Sequence, residues 1–361
     1  MKQFPFLKKS LQDIATYTVS GKPLQPELIK LNQNENPFDI PLDLKHELLD
    51  EFLTQPWHRY PETFPHELLT ALAAYTGHPA DGIIAGNGSN ELMYTLFMAT
   101  VSSGTRVLIP TPTFFLYEKA VRVFDGNVVS VPMNDDLSFA LGNILDAIQS
   151  EHPSVIVLVS PNSPTARSLP LTDLETILEA TDSLVIVDEA YIEFSDHGSA
   201  QHLMKRHEHL VILRTFSKAF SMAGLRVGYL LASPRLAAEL LKPKIPFAVH
   251  AFSALTAIRM MERHEIVDER IAFLKEQRRW LEAQMRNISG VEVFPSDTNF
   301  LILRTPHPAG ILFRKLLDSN VLIREVSSYP MMERMLRVNA GLKEENERFI
   351  SVLLKNIEVA G

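Results

Sequence analysis

Seven strand-sized runs lie between residues 82 and 232, separated by helical stretches, and most are continuous Val, Ile and Leu rather than apolar–polar alternations. They are Gly82–Ala85, Arg106–Ile109, Asn127–Val131, Val155–Ser160, Leu184–Asp188, Leu210–Thr215 and Val227–Ala232. A strand that is apolar on both faces must be covered on both faces, as in a parallel sheet wrapped by helices. Asn90–Val101 and Leu171–Ala180 read as helices, the second behind Pro170, a residue suited to a helix start. The pattern predicts βαβ units and a doubly wound, mostly parallel α/β sheet.

After Pro246 the texture changes. Val267, Ile271, Leu274, Leu281, Met285 and Ile288 recur at helical spacing, with Arg278 in the skipped position, which predicts one long amphipathic helix. Strand-like Val291–Phe294 and Asn299–Leu303, a helix Pro308–Ser319, strands Val321–Glu325 and Met335–Val338, and a helix from Lys343 follow. The expected division is an arm at residues 1–30, a large domain at 31–265, and a linking helix with a smaller α+β domain at 266–361. With 361 residues, 46% of them hydrophobic and 22% charged, the chain can bury such cores and is not a disordered sequence. The net charge of −8 and the lack of a Lys/Arg-rich run argue against nucleic-acid or anionic-membrane surfaces. The absence of Cys excludes disulfides, thiolate nucleophiles and cysteine-ligated metals, and fits a reducing cytoplasm. No apolar run approaches the ~20 residues of a membrane span, and Met1–Gln12 lacks a signal-peptide core.

Ligands of open α/β sheets sit at the carboxyl ends of the strands, so the polar residues there carry the functional argument. Gly86-Asn87-Gly88-Ser89-Asn90-Glu91 runs from a strand into a helix. Its glycines permit a tight turn and its helix start offers free N–H groups to an anion, although an ordinary strand–helix turn would look the same. It lacks the third glycine of a dinucleotide fingerprint and the Gly-Lys-Ser/Thr of a P-loop. Asp188, leaving a buried strand, is either a helix cap or a carboxylate with a cationic or N–H partner. Lys218 lies among Phe216, Ala219 and Phe220 just past a core strand. Desolvation favours a neutral, nucleophilic amine there, whereas a lone surface lysine would mean nothing. His202, His207 and His209 cluster without a His-Glu-x-x-His spacing and read as solvated surface rather than a zinc site.

Ser217-Lys218-Ala219-Phe220 followed by Gly224-Leu225-Arg226-Val227-Gly228-Tyr229 resembles the lysine segment of fold-type I pyridoxal-phosphate aminotransferases. Asp188-Glu189-Ala190-Tyr191 resembles that family's pyridine-nitrogen motif. Leu31-Asn32-Gln33-Asn34-Glu35-Asn36-Pro37, Arg59-Tyr60-Pro61, Gly86-Asn87-Gly88, Pro112-Thr113-Phe114, Ser160-Pro161-Asn162-Ser163-Pro164-Thr165, Arg324 and Arg337 follow the family order. The resemblance covers about residues 15 to 340. Its subfamily features, Asn34-Glu35-Asn36-Pro37, Tyr191-Ile192-Glu193-Phe194 and Arg214-Thr215-Phe216-Ser217-Lys218, are most similar to histidinol-phosphate aminotransferases.

The resemblance implies roles. Pyridoxal 5′-phosphate would form a Schiff base with Lys218, which also shuttles the proton of the substrate α-carbon. Asp188 would pair with the ring N–H, Tyr191 with the phenolic oxygen, and Phe114 would stack on the ring. Backbone N–H groups of Ser89 and Asn90, with Ser217 and Arg226, would hold the phosphate, joined by Tyr60 from the neighbouring subunit of a homodimer with a shared site. Ser163 would face the cofactor, and Tyr17, Asn34, Arg324 and Arg337 the substrate, Arg337 forking onto a carboxylate. An amino donor and a 2-oxo acid acceptor would be the small-molecule partners, with 2-oxoglutarate taking the amino group of L-histidinol phosphate. Threonine-phosphate decarboxylation and broad or aromatic amino-acid transamination are the alternatives.

One departure stands out. The family carries Asn-Asn-Pro-Thr-Gly where this chain has Asn162-Ser163-Pro164-Thr165-Ala166. The second asparagine of that motif donates to the cofactor's phenolic oxygen. Either Ser163 under-donates, or Asn162 or a water takes over.

Overall fold

The computed structural model describes residues 6–11, 14–16 and 27–357. Its strands are β1 (Ile29–Lys30), β2 (Ile83–Gly86), β3 (Arg106–Thr111), β4 (Asn127–Pro132), β5 (Val155–Val159), β6 (Leu184–Asp188), β7 (Leu210–Thr215), β8 (Gly228–Leu231), β9 (Glu292–Val293), β10 (Phe300–Arg304), β11 (Val321–Leu322), β12 (Arg324–Glu325) and β13 (Met335–Asn339). The seven sequence-predicted strands of the first two-thirds are β2 to β8, shifted by at most two residues at an end.

These strands form one sheet in the order β2-β8-β7-β6-β5-β3-β4. The middles of its interior strands are apolar on both faces because alternate residues feed two cores. In β5, Ile156 and Leu158 enter one core, and Val155, Val157 and Val159 the other. In β7, Leu210 and Ile212 face one side, and Val211 and Leu213 the other. Each such side chain contributes about 1.5–3 kcal/mol by leaving water. Helices Gly88–Thr100, Leu116–Val123, Leu141–Glu151 and Leu171–Glu179 supply covering layers.

The sheet is mixed rather than all parallel. β3, β4, β5, β6 and β7 pair in parallel, but β8 runs antiparallel to both β7 and β2. Between β7 and β8 the chain makes only the short turn Ala223–Leu225 and no crossover helix, so it returns beside β7 in the opposite sense. One edge of the sheet therefore gathers the carboxyl ends of β2, β3, β5, β6 and β7 and the amino end of β8.

The long helix runs His264–Arg286. Arg278 is buried on its inner face because its Nη1 donates to the Thr298 carbonyl at 2.7 Å. The expected strand Val321–Glu325 is two strands in two sheets. β11 pairs in parallel with β1, whereas β12 joins the antiparallel sheet β12-β13-β10-β9. Ile323, buried between them, marks the switch.

Candidate active site

The register of the sheet decides which residues meet. Asp188 ends β6 opposite Val159 of β5 and Leu213 of β7, and Thr215 lies opposite Gly228, itself opposite Gly86. Segments 87–90, 112–117, 160–166, 188–191 and 216–228 thus emerge on the same edge.

Asp188 is 6% exposed. Its Oδ2 accepts from the Tyr117 hydroxyl at 2.6 Å and its Oδ1 from the Ala190 N–H at 3.0 Å. Burial pushes its carboxyl above the usual range, while these two donors pull it back. Burial, and then the neighbouring Asp188, hold the Tyr117 phenol well above its ordinary value, so it stays a donor. Glu189, the next residue, turns away from Asp188 into an ion pair with Arg214 at 2.9 Å and takes the Ser199 hydroxyl and Ala200 N–H. Lys218 is half-buried. Its Nζ donates to the Gln33 carbonyl at 2.8 Å and lies 5.7 Å from the centre of the Tyr191 ring. Tyr191 is buried, and its hydroxyl accepts from Asn34 Nδ2 at 2.9 Å. Phe114 stands edge-on to Tyr117 at 6.4 Å. The structure brings Lys218, Asp188, Tyr191, Phe114 and Asn34 to one place. Tyr117 was missed by sequence reasoning. Its signal was its place on the helix after Phe114, with nothing to show that it faces β6.

Beside this group lies a cradle for an anion. Asn87 precedes the helix Gly88–Thr100, so the first N–H groups, including Ser89 and Asn90, lack intrahelical partners. Arg226 adopts a positive φ and its Nη1 donates to Ser217 Oγ at 3.2 Å and to the Ala223 carbonyl at 3.1 Å. Ser217 Oγ also receives the Thr215 hydroxyl at 3.0 Å. Glycine is required on both sides. A Cβ on Gly88 would come 2.4 Å from Arg226 Nη2, and one on Gly228 would come 2.5 Å from the Ser89 nitrogen.

Ser163 is buried, and its Oγ accepts from Arg337 Nη1 at 3.1 Å. The second Arg337 terminal nitrogen donates to the Asn32 carbonyl at 2.8 Å, and the guanidinium sits 5.2 Å over the Phe300 ring. Asn162 does not stand in for the missing asparagine. Its amide donates to the Pro112 carbonyl at 2.9 Å and to Thr165 Oγ1 at 2.8 Å, and its oxygen accepts from Thr113 at 2.7 Å. No N–H of Asn162 is left over for a ligand. Arg324 lies directly across the strand pair from Arg337. It lines a cavity of about 440 Å³ with Ile14, Thr113, Lys119, Arg122 and Tyr329. Like charges at opposed positions repel, so the two guanidiniums gain from a nearby negative charge. Asn34, at positive φ, is pinned by Asn339 and Asn299, and its Oδ1 is buried with no hydrogen-bond partner among the described residues. Tyr60 is 83% exposed and stacks on Phe247 at 4.8 Å, with no hydrogen bond to the Lys218 group among the described residues. Tyr17 lies outside the described residues. His207 and His209 meet edge to face at 5.7 Å, away from this edge, at the start of β7.

Comparison with known proteins gives the same direction. The family model for aminotransferases of class I and II matches residues 26–353. A histidinol-phosphate aminotransferase of Chlorobaculum tepidum is 46% identical over 349 residues, 97% of this chain and 99% of that protein. Among solved structures, a histidinol-phosphate aminotransferase from Sinorhizobium meliloti in complex with pyridoxal-5′-phosphate superposes with a TM-score of 0.88, at 22% identity and 99% coverage of both chains. An L-threonine-O-3-phosphate decarboxylase from Porphyromonas gingivalis gives 0.78 at 24% identity, covering 91% of this chain and 99% of that one. The two solved structures share the fold, and the family match with the curated relative supplies what fold alone does not. This chain belongs to the class I and II aminotransferases.

Proposed function

We propose that this enzyme transfers the amino group of L-histidinol phosphate to 2-oxoglutarate with pyridoxal 5′-phosphate, a step of histidine biosynthesis. The observation that carries the reading is the meeting of Lys218, Asp188 and Tyr191 beside the Ser217–Arg226 cradle. The substrate follows from the name of the relative at 46% identity, which favours it over phosphorylated amino-acid decarboxylation or aromatic transamination. The donor set fits the cofactor: a helix start, a hydroxyl and a guanidinium for a phosphate, a carboxylate for a ring N–H, a phenol for a phenolate, and a half-buried amine.

Bound there, the cofactor supplies an electron sink for the substrate's α-carbon. Ser89 and Asn90 N–H groups, Ser217 Oγ and Arg226 hold the phosphate. Asp188 would keep the ring nitrogen protonated, Tyr191 would donate to the phenolic oxygen, Phe114 would cover the ring, and Ser163 would face it. Lys218 Nζ would hold the cofactor and carry the proton to and from the substrate α-carbon. Arg324 and Arg337 would take the phosphate of the donor, with Asn34 and Tyr17 as further substrate residues, and Arg337 would take the carboxylate of the 2-oxo acid. Borohydride reduction of the loaded protein should fix the cofactor mass on the Lys218 peptide. A label on another peptide would overturn the assignment.

The same reading makes the enzyme a cytoplasmic homodimer, organised as an arm (1–30), a large domain (31–265) and a small domain (266–361). No helix among the described residues is long and apolar enough to cross a membrane. The dimer is supported by apolar surface around Tyr60. Trp57 is 64% exposed and stacks on Phe52, while Leu49, Leu53 and Phe247 lie exposed on neighbouring segments. If Tyr60 serves the partner's site, mixing two inactive proteins, Lys218→Ala and Tyr60→Ala, restores activity through hybrid dimers with one intact site. Absence of any recovery in proven hybrids would refute the shared site.

A further inference from the structure

A short hydrogen bond at the site joins two side chains, Tyr117 and Asp188, only one of which has a role in the proposed function. Tyr117 is buried at the start of the helix Leu116–Val123, wedged edge-on between Phe97 at 6.2 Å and Phe114 at 6.4 Å. Those rings fix the direction of its hydroxyl, which meets Asp188 Oδ2 at 2.6 Å. The opposite oxygen, Oδ1, has the Ala190 N–H. Asp188 thus has one donor on each oxygen and, among the described residues, no arginine or lysine in hydrogen-bonded contact. A carboxylate in that setting is costly, and its ionised form depends on those two bonds.

We propose that Tyr117 is the positioning residue that keeps Asp188 an ionised acceptor of fixed orientation, and through it sets where the proton shared with a bound heteroaromatic ring nitrogen resides. The inference rests on the reading that Asp188 faces that nitrogen. The balance is a single proton between two sites, an ion pair with the proton on nitrogen or a neutral pair with the proton on the Asp188 oxygen. A donor to the carboxylate stabilises the first form more than the second, because hydrogen bonds to a charged acceptor are the stronger ones. Removing the phenol hydroxyl makes Asp188 more basic, so the proton moves from the ring nitrogen toward the oxygen, with no other bond changed. The nitrogen then carries less positive charge, and the α-carbon proton becomes harder to remove. Tyr117 itself touches neither substrate nor reacting atoms, and its phenol, held well above its ordinary range, does not compete for the proton.

The test uses two measurements, so that failure of this inference and failure of the cofactor reading are separable. The first is the pH titration of the Asp188 carboxyl in the cofactor-free protein, followed by carboxyl-carbon NMR and assigned against Asp188→Asn. Tyr117→Phe should raise the midpoint by about one pH unit or more, a tenfold change, the size expected for loss of one hydrogen bond to a charged group. A ring-fluorinated tyrosine at position 117 keeps the shape and acidifies the donor, and should move the midpoint down. Midpoints unchanged in both variants overturn the inference. The second is the resonance of nitrogen-labelled pyridoxal phosphate in the loaded protein. The wild type should give a protonated ring nitrogen, and Tyr117→Phe a signal shifted toward the unprotonated form, alongside roughly tenfold slower conversion by the amino donor. An unprotonated nitrogen in the wild type would overturn the role given to Asp188, while the first titration still decides whether Tyr117 governs its charge.

Discussion

Gly228→Ala probes the phosphate cradle without altering any side chain that would touch a ligand. Gly228 opens β8 and packs against the start of the helix Gly88–Thr100. An added Cβ would lie 2.5 Å from the Ser89 nitrogen, 2.7 Å from the Gly88 carbonyl carbon and 3.0 Å from the Arg214 carbonyl oxygen. All three are backbone atoms, so no flexible side chain can yield. Ordinary contact begins near 3.4 Å, so the helix start must retreat by roughly 0.9 Å. Overpacking of this kind costs about 1–3 kcal/mol of stability. The same displacement pulls the Ser89 N–H beyond hydrogen-bond range of an anion held by Ser217 and Arg226. One bond to a charged group is worth about 1.5–3 kcal/mol, so the dissociation constant for pyridoxal phosphate should rise roughly 10- to 150-fold. The titration is best made in a Lys218→Ala background, where covalent attachment does not mask the phosphate's share, with urea unfolding of the cofactor-free protein in parallel. A lowered urea midpoint with cofactor affinity within about twofold of the parent would refute the claim that this helix start holds the phosphate.

Two further perturbations test other parts of the account. Glu193 has its carboxyl pushed from 4.5 to about 7, chiefly by burial. Between those values the folded state holds a proton the unfolded state has released, so stability is full below pH 4.5 and falls as pH rises through 7. Glu193→Gln should flatten that slope in urea unfolding series, and an unchanged slope would contradict the assignment. With Asn162 fully engaged, Ser163→Asn should restore a donor to the cofactor's phenolic oxygen and lower the midpoint of the visible-absorbance pH titration of the loaded protein. Indistinguishable midpoints would remove the idea that Ser163 under-donates.

Much of the fold was legible because buried parallel strands leave an unmistakable trace. β5, β6 and the first four residues of β7 are apolar up to the site edge since both faces are covered, and the segments after them carried the chemistry-bearing residues in readable order. What the sequence did not disclose depends on register and direction. The reversal of β8 follows from a connection too poor in helix to cross the sheet, a property of residues 216–227 that apolar patterning does not report. The break at Ile323 separates two strands whose residues are all strand-like, and only their partners differ. Tyr117 reads as one more buried aromatic until the helix Leu116–Val123 is laid against the end of β6. Arg214 and Glu189 likewise read as charges near a site, whereas they neutralise each other on the far side of the strand end. The Arg324–Arg337 opposition arises from the antiparallel register of β12 on β13, which apolar patterning does not report.

The most direct test of the central claim is the visible absorption spectrum of the cofactor-loaded protein before and after addition of L-histidinol phosphate. Loss of the lysine-bound cofactor band, growth of the pyridoxamine phosphate band and full reversal by 2-oxoglutarate are expected, all abolished in Lys218→Ala. A spectrum indifferent to L-histidinol phosphate, in protein that binds the cofactor and keeps its fold, would contradict that claim.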